Sequence, residues 1–380
     1  MKPAINAKYS YFDFRSIGFG DCISGLVVIA YLAETERELL SEHSTVLVSR
    51  ELEKLAQVIL AGAPISVEPE CTQTSRSLHR ISNGRVLIPR APRDAWELFR
   101  ALLGKETFLN WAEGCQLEVA GAKLWNTWSY IRKTRFLVLQ TLQFRMSDPR
   151  SAAPIYIGFR LLFSVFKQSP RTVTQHVLRC RGTYYSIRER VQCYVSSLDT
   201  RTSRVPQHYN GKIVLFPGAE SFNAIPVDLC KAIEERFGSL VMFVLHKSDR
   251  AAQEAGEKLR NVFFVDNIDD TLLLIARNYP IAVDSFVSHL IQLITDEATI
   301  IFSREVRERF VHPGARPRTI EMTPECAPCE YVSMRKSAVC PIGRTTCVAF
   351  ESLFPLLERE ILLVQRNLEI KMVQRQTRHE

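Results

Sequence analysis

The chain has no apolar run approaching the roughly 20 residues needed to cross a bilayer. Its most apolar stretches, such as Leu161 to Phe166, are short and bounded by charge, so no membrane-spanning helix is expected. The N-terminal stretch MKPAINAKYSYFDF lacks the continuous apolar segment of a secretory signal. A cytoplasmic location is therefore the default expectation. Glycine (16) and proline (18) are sparse in 380 residues, which excludes a low-complexity chain. Acidic residues are in deficit, 41 against 49 basic ones, giving a formal charge of +8 and a pI near 9.0. No recognition-helix pattern or RNA-binding signature accompanies this charge, so nucleic acid is disfavoured as a partner. Much of the excess falls between residues 130 and 205. It reads either as a solvated basic face or as peripheral contact with an anionic membrane surface or phosphorylated glycolipid.

What is present is an alternation of strand and helix patterns. Tyr9 to Arg15 is strand-like, and Gly18-Phe19-Gly20-Asp21 follows as a turn. Ile23 to Leu32 has helical length. Thr45 to Ser49 is β-branched, Arg50 to Leu60 is helical, and Ile65 to Val67 and Val86 to Ile88 read as short strands. Such alternation implies βαβ units and a parallel sheet. From about Arg93 to Arg190 the pattern is less regular and reads as mostly helical, with Trp96, Trp111, Trp125 and Trp128 at its beginning. Ser196 to Gly211 is polar and is the best linker candidate.

A second alternation begins at Lys212. Ile213 to Phe216, Leu240 to Leu245, Val262 to Val265 and Ile281 to Val283 read as strands. Val227 to Phe237 and Thr271 to Arg277 read as helices between them. The expected organisation is a first lobe over 1–205, a second over 206–350 and a C-terminal helix over 351–380. That helix, within the apolar Val348 to Gln374, reads as a packing element that could cross back onto the first lobe.

In open α/β sheets ligands bind beyond the carboxyl ends of the strands. Three segments fall at such places. Gly20 and Asp21 precede a helix whose free N–H groups favour an anion. Asp21 is either a helix N-cap or a general base able to take a proton from a hydroxyl. The set is not a full G-x-G-x-x-G, because Ile23 stands at the third position and the next glycine is Gly25. The second segment, Phe216 to Pro226, is a small-residue loop containing Gly218, Ser221 and Asn223, suited to cradling a phosphate or to an ordinary connection. The third, Asp284-Ser285-Phe286-Val287-Ser288-His289-Leu290, follows a buried strand and opens a helix.

Four cysteines close this part of the chain with the spacing Cys326-x2-Cys329-x10-Cys340-x6-Cys347. Four thiolates suit tetrahedral zinc or iron. Such a metal would be structural, since four protein ligands leave no open position. Reduced cysteines are the other reading; a disulfide is disfavoured in a cytosolic setting. The remaining six cysteines read as small core residues.

Taken in order, Gly20-Asp21, Asn223-Ala224-Ile225-Pro226, Asp284 to Leu290 and Cys326-Ala327-Pro328-Cys329 resemble glycosyltransferase family 9, the ADP-heptose:lipopolysaccharide heptosyltransferases. The second-lobe resemblance covers Lys212 to Glu351. It implies a GT-B architecture, two Rossmann-like doubly wound lobes facing each other across a cleft. It implies inverting, metal-independent transfer of a heptose-like sugar from a nucleotide diphosphate, ADP-heptose the first guess, to a lipopolysaccharide core or other surface glycan. By the same resemblance Asp21 is the base, and Gly20, Gly218, Ser221, Asn223, Asp284, Ser285 and His289 face the donor. Two positions depart from the family. Asn223 stands where a basic residue is usual, and Phe286 where glycine is usual. A related transferase acting on protein side chains, and an inactive relative serving as a scaffold, are the alternatives.

Overall fold

A computed structural model describes residues 9–14, 19–35, 40–69, 85–88, 106–110, 115–117, 170–199, 205–218, 224–247, 256–303, 307, 311–312, 314–322, 347–348 and 350–376. The chain divides into two compact units. The first comprises 1–191 with 308–314, the second 192–307 with 315–380.

The first unit holds β1 (Tyr9–Asp13), α1 (Phe19–Thr35), β2 (Leu40–Val48), α2 (Glu53–Ile59), β3 (Ile65–Pro69), β4 (Arg85–Ile88), β5 (Glu106–Asn110), β6 (Cys115–Leu117) and most of α3 (Pro170–Asp199). Its sheet runs β3-β2-β1-β4-β5-β6. All pairings are parallel except β5 with β6. The order reverses at β1, which has β2 on one side and β4 on the other. Gly25 lets α1 come close: a Cβ there would lie 2.6 Å from Phe14 Cε1. Helix–strand packing at a glycine is thus served by Gly25, four residues beyond the Gly-Asp pair.

Two expectations for this region change. Strands β5 and β6 lie where helix was expected. The run Thr107-Phe108-Leu109 has β-prone side chains, and β4 offers it a free parallel edge. The linker is also shorter than expected, because α3 continues through Ser196 to Asp199. Ser196 Oγ donates to Gln192 O at 2.9 Å and Ser197 Oγ to Tyr194 O at 2.7 Å. Serine hydroxyls that bond back onto helix carbonyls need no turn to satisfy them. One arginine of the basic region has a structural task. Arg190 donates to Val58 O at 3.3 Å and Ile59 O at 2.8 Å, satisfying carbonyls at the end of α2.

The second unit holds β7 (Ile213–Phe216), α4 (Val227–Phe237), β8 (Val241–His246), β9 (Val262–Val265), α5 (Ile268–Arg277), β10 (Tyr279–Val283), α6 (Phe286–Ile294), β11 (Thr299–Phe302), β12 (Arg318–Glu321) and α7 (Phe350–Gln376). Its sheet runs β12-β11-β10-β7-β8-β9 and is parallel throughout. Every residue of β7 and β11 is buried, as expected of strands covered on both faces. Read from β9, the order is 3-2-1-4-5-6, the doubly wound dinucleotide-binding arrangement. The first sheet, read from β3, has the same order. Both lobes are therefore α/β and Rossmann-like.

Helix ends follow local chemistry. Gly238 ends α4 at φ 53°, a conformation glycine adopts without penalty. Asn267 caps α5 by accepting from Asp270 N at 2.8 Å. The C-terminal helix α7 belongs to the second unit. Its Leu353, Leu357, Ile361 and Val364 join the core of the second, with Ile213, Leu229 and Val241. Cys22 and Cys230 are core residues as expected, whereas Cys193 is exposed on α3.

Among the described residues no helix is long and apolar enough to cross a membrane.

Candidate functional site

The second sheet reverses its winding between β7 and β10, its two central strands. A crevice at their carboxyl ends is where this topology binds ligands. Register pairs Ala282 with Phe216, so the two strands end together. Pro217-Gly218 leaves β7, and Asp284-Ser285 leaves β10.

On the β7 side, Ile225 N donates to Pro217 O at 2.9 Å and pinches the loop at its base. Gly218 sits on that loop in open space: a Cβ built there meets nothing within 4 Å. On the β10 side, Asp284 is 5% exposed, and its N–H donates to Ile301 O at 3.0 Å. Ser285 occupies the N-cap position of α6 with extended backbone, but its side chain makes no capping hydrogen bond. The hydroxyl is buried and has no hydrogen-bond partner among the described residues. The first turn of α6 is otherwise tied down. Ser288 Oγ donates to Ser285 O at 2.6 Å, and Ser288 N to the same oxygen at 3.2 Å. A helix start without a side-chain cap presents a positive dipole end to an anion. His289 lies one turn in, 5% exposed.

Neighbouring strand ends add groups the motif reading missed. Lys247, just past β8, pairs with Asp266, just past β9, at 3.1 Å. Ser303, just past β11, is 1% exposed. No motif flags these residues. Their signal is position alone, at strand ends that the topology gathers on one edge.

No family model matches the chain. No curated protein matches it in sequence. Solved structures are similar at 11–13% identity. One is the glycosyl transferase family 9 protein from Veillonella parvula DSM 2008, with 11% identity, a TM-score of 0.49, and 95% of this chain and 99% of that chain covered. A second is E. coli heptosyltransferase WaaC with ADP, with 12% identity, a TM-score of 0.42, and 92% and 98% covered. A third is E. coli ADP-heptose lps heptosyltransferase II, with 13% identity, a TM-score of 0.44, and 82% and 90% covered.

The site residues expected from sequence separate into three groups. Gly218, Asp284 and Ser285 stand together at the switch point of the second sheet, with His289 behind them on α6. Gly20 and Asp21 are the second and third residues of α1, so Asp21 lies inside the first turn rather than at the N-cap. The first sheet also reverses its order at β1, the strand that precedes α1. Ser221, Asn223, Cys326, Cys329 and Cys340 lie outside the described residues. Of the proposed metal ligands only Cys347 is described; it is half-buried.

Proposed function

We propose that this chain is a glycosyltransferase using a nucleotide diphosphate sugar. ADP-heptose is the first candidate donor, and a hydroxyl of a lipopolysaccharide core or other surface glycan the acceptor. One observation carries the reading: Gly218, Asp284 and Ser285 meet at the topological switch of a 3-2-1-4-5-6 sheet, at the uncapped start of α6. That is chemistry for a diphosphate. The order of motifs along the chain supports the sugar-transfer class.

In the proposed reaction the Asp21 carboxylate takes the proton of the acceptor hydroxyl. The acceptor oxygen then forms a bond to the anomeric carbon on the face opposite the diphosphate. The bond from that carbon to the phosphate oxygen breaks, with inversion. Charge growing on the leaving diphosphate is stabilised by the dipole end of α6, the Ser285 hydroxyl and the backbone at Gly218. This scheme needs no catalytic metal. A metal on the cysteine set would serve structure alone.

The test is calorimetric titration of the full chain with ADP, ADP-heptose, UDP-sugars and GDP-sugars, with Asp284→Asn as control. Binding of an adenine donor, weakened in the variant, is the expected result. Binding of another nucleotide replaces the donor and keeps the chemistry. Absence of binding to any of them refutes the reading and favours the scaffold alternative.

A further inference from the structure

The family resemblance ends the donor-facing edge at β10 and α6. The next strand carries an unexplained group. Ser303 follows β11 directly, and its buried hydroxyl has no hydrogen-bond partner among the described residues. Ser285 Oγ, past β10, is in the same condition. Register pairs Val283 with Ile301. Both serines therefore stand two residues past the same paired position, where the chain has just left two neighbouring strands. A buried hydroxyl without a partner destabilises the folded chain. Two of them on the ligand-binding edge of a parallel sheet mark a place where something outside the fold supplies the partner.

The topology indicates which part of a ligand that is. In a doubly wound sheet the nucleoside lies over the first half, where the ribose is read after the second strand. Here the first half is β7, β8 and β9. A nucleoside over β7 and β8, with its diphosphate between Gly218 and α6, leaves the transferred group over β10 and β11. A sugar hydroxyl both donates and accepts, as does a serine hydroxyl. We infer that Ser303, beside Ser285, forms a subsite for the hydroxyl groups of the transferred sugar. The inference rests on the nucleotide-sugar reading above and extends it to a residue outside the motifs.

Ser303→Ala in the full chain tests it in two ways. Without ligand, the melting temperature of the variant equals or exceeds that of the wild type, because the substitution removes an unsatisfied hydroxyl. A lower melting temperature means the protein itself satisfies that hydroxyl, and overturns the inference. In calorimetry, the variant binds ADP-heptose about three- to tenfold more weakly, the effect of one neutral hydrogen bond, and binds ADP unchanged. Equal weakening for both ligands, or no weakening for ADP-heptose, overturns the sugar subsite while the nucleotide reading stands. A wild type that binds neither ligand removes the nucleotide reading and the inference with it.

Discussion

Replacing Glu360 with alanine should destabilise the second unit without touching nucleotide affinity. Glu360 is 8% exposed on α7 and faces the amino ends of three strands. Thr299, the first residue of β11 and fully buried, donates to Glu360 Oε1 at 2.8 Å. Arg318, the first residue of β12, donates through Nε to Oε1 and through Nη2 to Oε2 at 2.9 Å. Tyr279, the first residue of β10, bonds Thr299 Oγ1 at 2.9 Å. Hydrogen bonds to a charged group are worth about 1.5–3 kcal/mol. The Arg318 side chain is 51% exposed, so water replaces much of its interaction, leaving about 0.5–1 kcal/mol for that pair. Thr299 keeps Tyr279 as a partner, which holds its loss to about 1.5–2 kcal/mol. The expected total is about 2–3 kcal/mol, or roughly 5–10 °C for a unit of this size. Glu360→Gln keeps an acceptor for Thr299 and should lose about half as much. Thermal melts followed by circular dichroism give the shifts. Calorimetry with ADP gives the control, since the network sits on the edge of the sheet opposite the candidate site. A Glu360→Ala shift under 2 °C refutes the energetics. A large loss of ADP affinity refutes the separation of the two edges.

Further outcomes follow from single residues. Asp21→Ala should lower sugar transfer by 10²-fold or more, the low end for a lost general base, and leave ADP-heptose affinity unchanged in calorimetry. Burial pushes the His312 imidazole, stacked on Tyr184, down to about 3 from 6.5. Below pH 6.5 the unfolded chain takes up a proton that the folded one refuses. Stability is thus lost as pH falls from 6.5 towards 3, by up to about 1.4 kcal/mol per pH unit, and urea midpoints of His312→Gln should fall less steeply than those of the wild type. Gly25→Ala places a Cβ 2.6 Å from the buried Phe14 ring and should lower the melting temperature, by the equivalent of about 1–3 kcal/mol of overpacking. Gly218→Ala, with nothing within 4 Å, should leave it unchanged.

Four strands of the second lobe, β7 to β10, were legible as continuous apolar runs, whereas the equally buried β11 and the largely exposed β12 were not. Runs such as Ile213 to Phe216 are continuous and apolar, so neither register nor face has to be inferred. Asp284-Ser285 could be placed at a strand tip for the same reason. The missed features have no such local signal. Strands β5 and β6 are short edge pieces whose identity depends on the neighbour they pair with. Ser196 and Ser197 read as linker by composition, yet both are satisfied by carbonyls of their own helix. Ser303 and Lys247 become site candidates only once the strand order brings their ends to one edge. Glu360 stands 61 residues from Thr299 in sequence, and no pattern in a helical tail reveals which of its acids is buried.

The two departures from the family do not weigh equally against activity. Glycine after Asp-Ser would be required if the backbone there adopted a left-handed conformation or touched the phosphate with no room for Cβ. Phe286 is instead the first residue of α6, in helical conformation that any residue reaches. It is half-buried. A phosphate held as proposed would face the dipole end of that helix along its axis, while the side chain leaves to the side. Phenylalanine is thus compatible with the proposed anion site, and its bulk would bear on which donor fits there. The change at Asn223 is of another kind, since it removes a positive charge from a loop that would face two phosphates. Lys247, two strand ends removed from Ser285, supplies a cation on the same edge, held by Asp266 at 3.1 Å. A diphosphate competing with Asp266 for that ammonium would restore the charge-assisted bond that Asn223 cannot make. Lys247→Met should then weaken ADP binding by at least fivefold at low salt and by less at high salt. An unchanged affinity would mean that the site holds its diphosphate by helix dipole and hydroxyls alone.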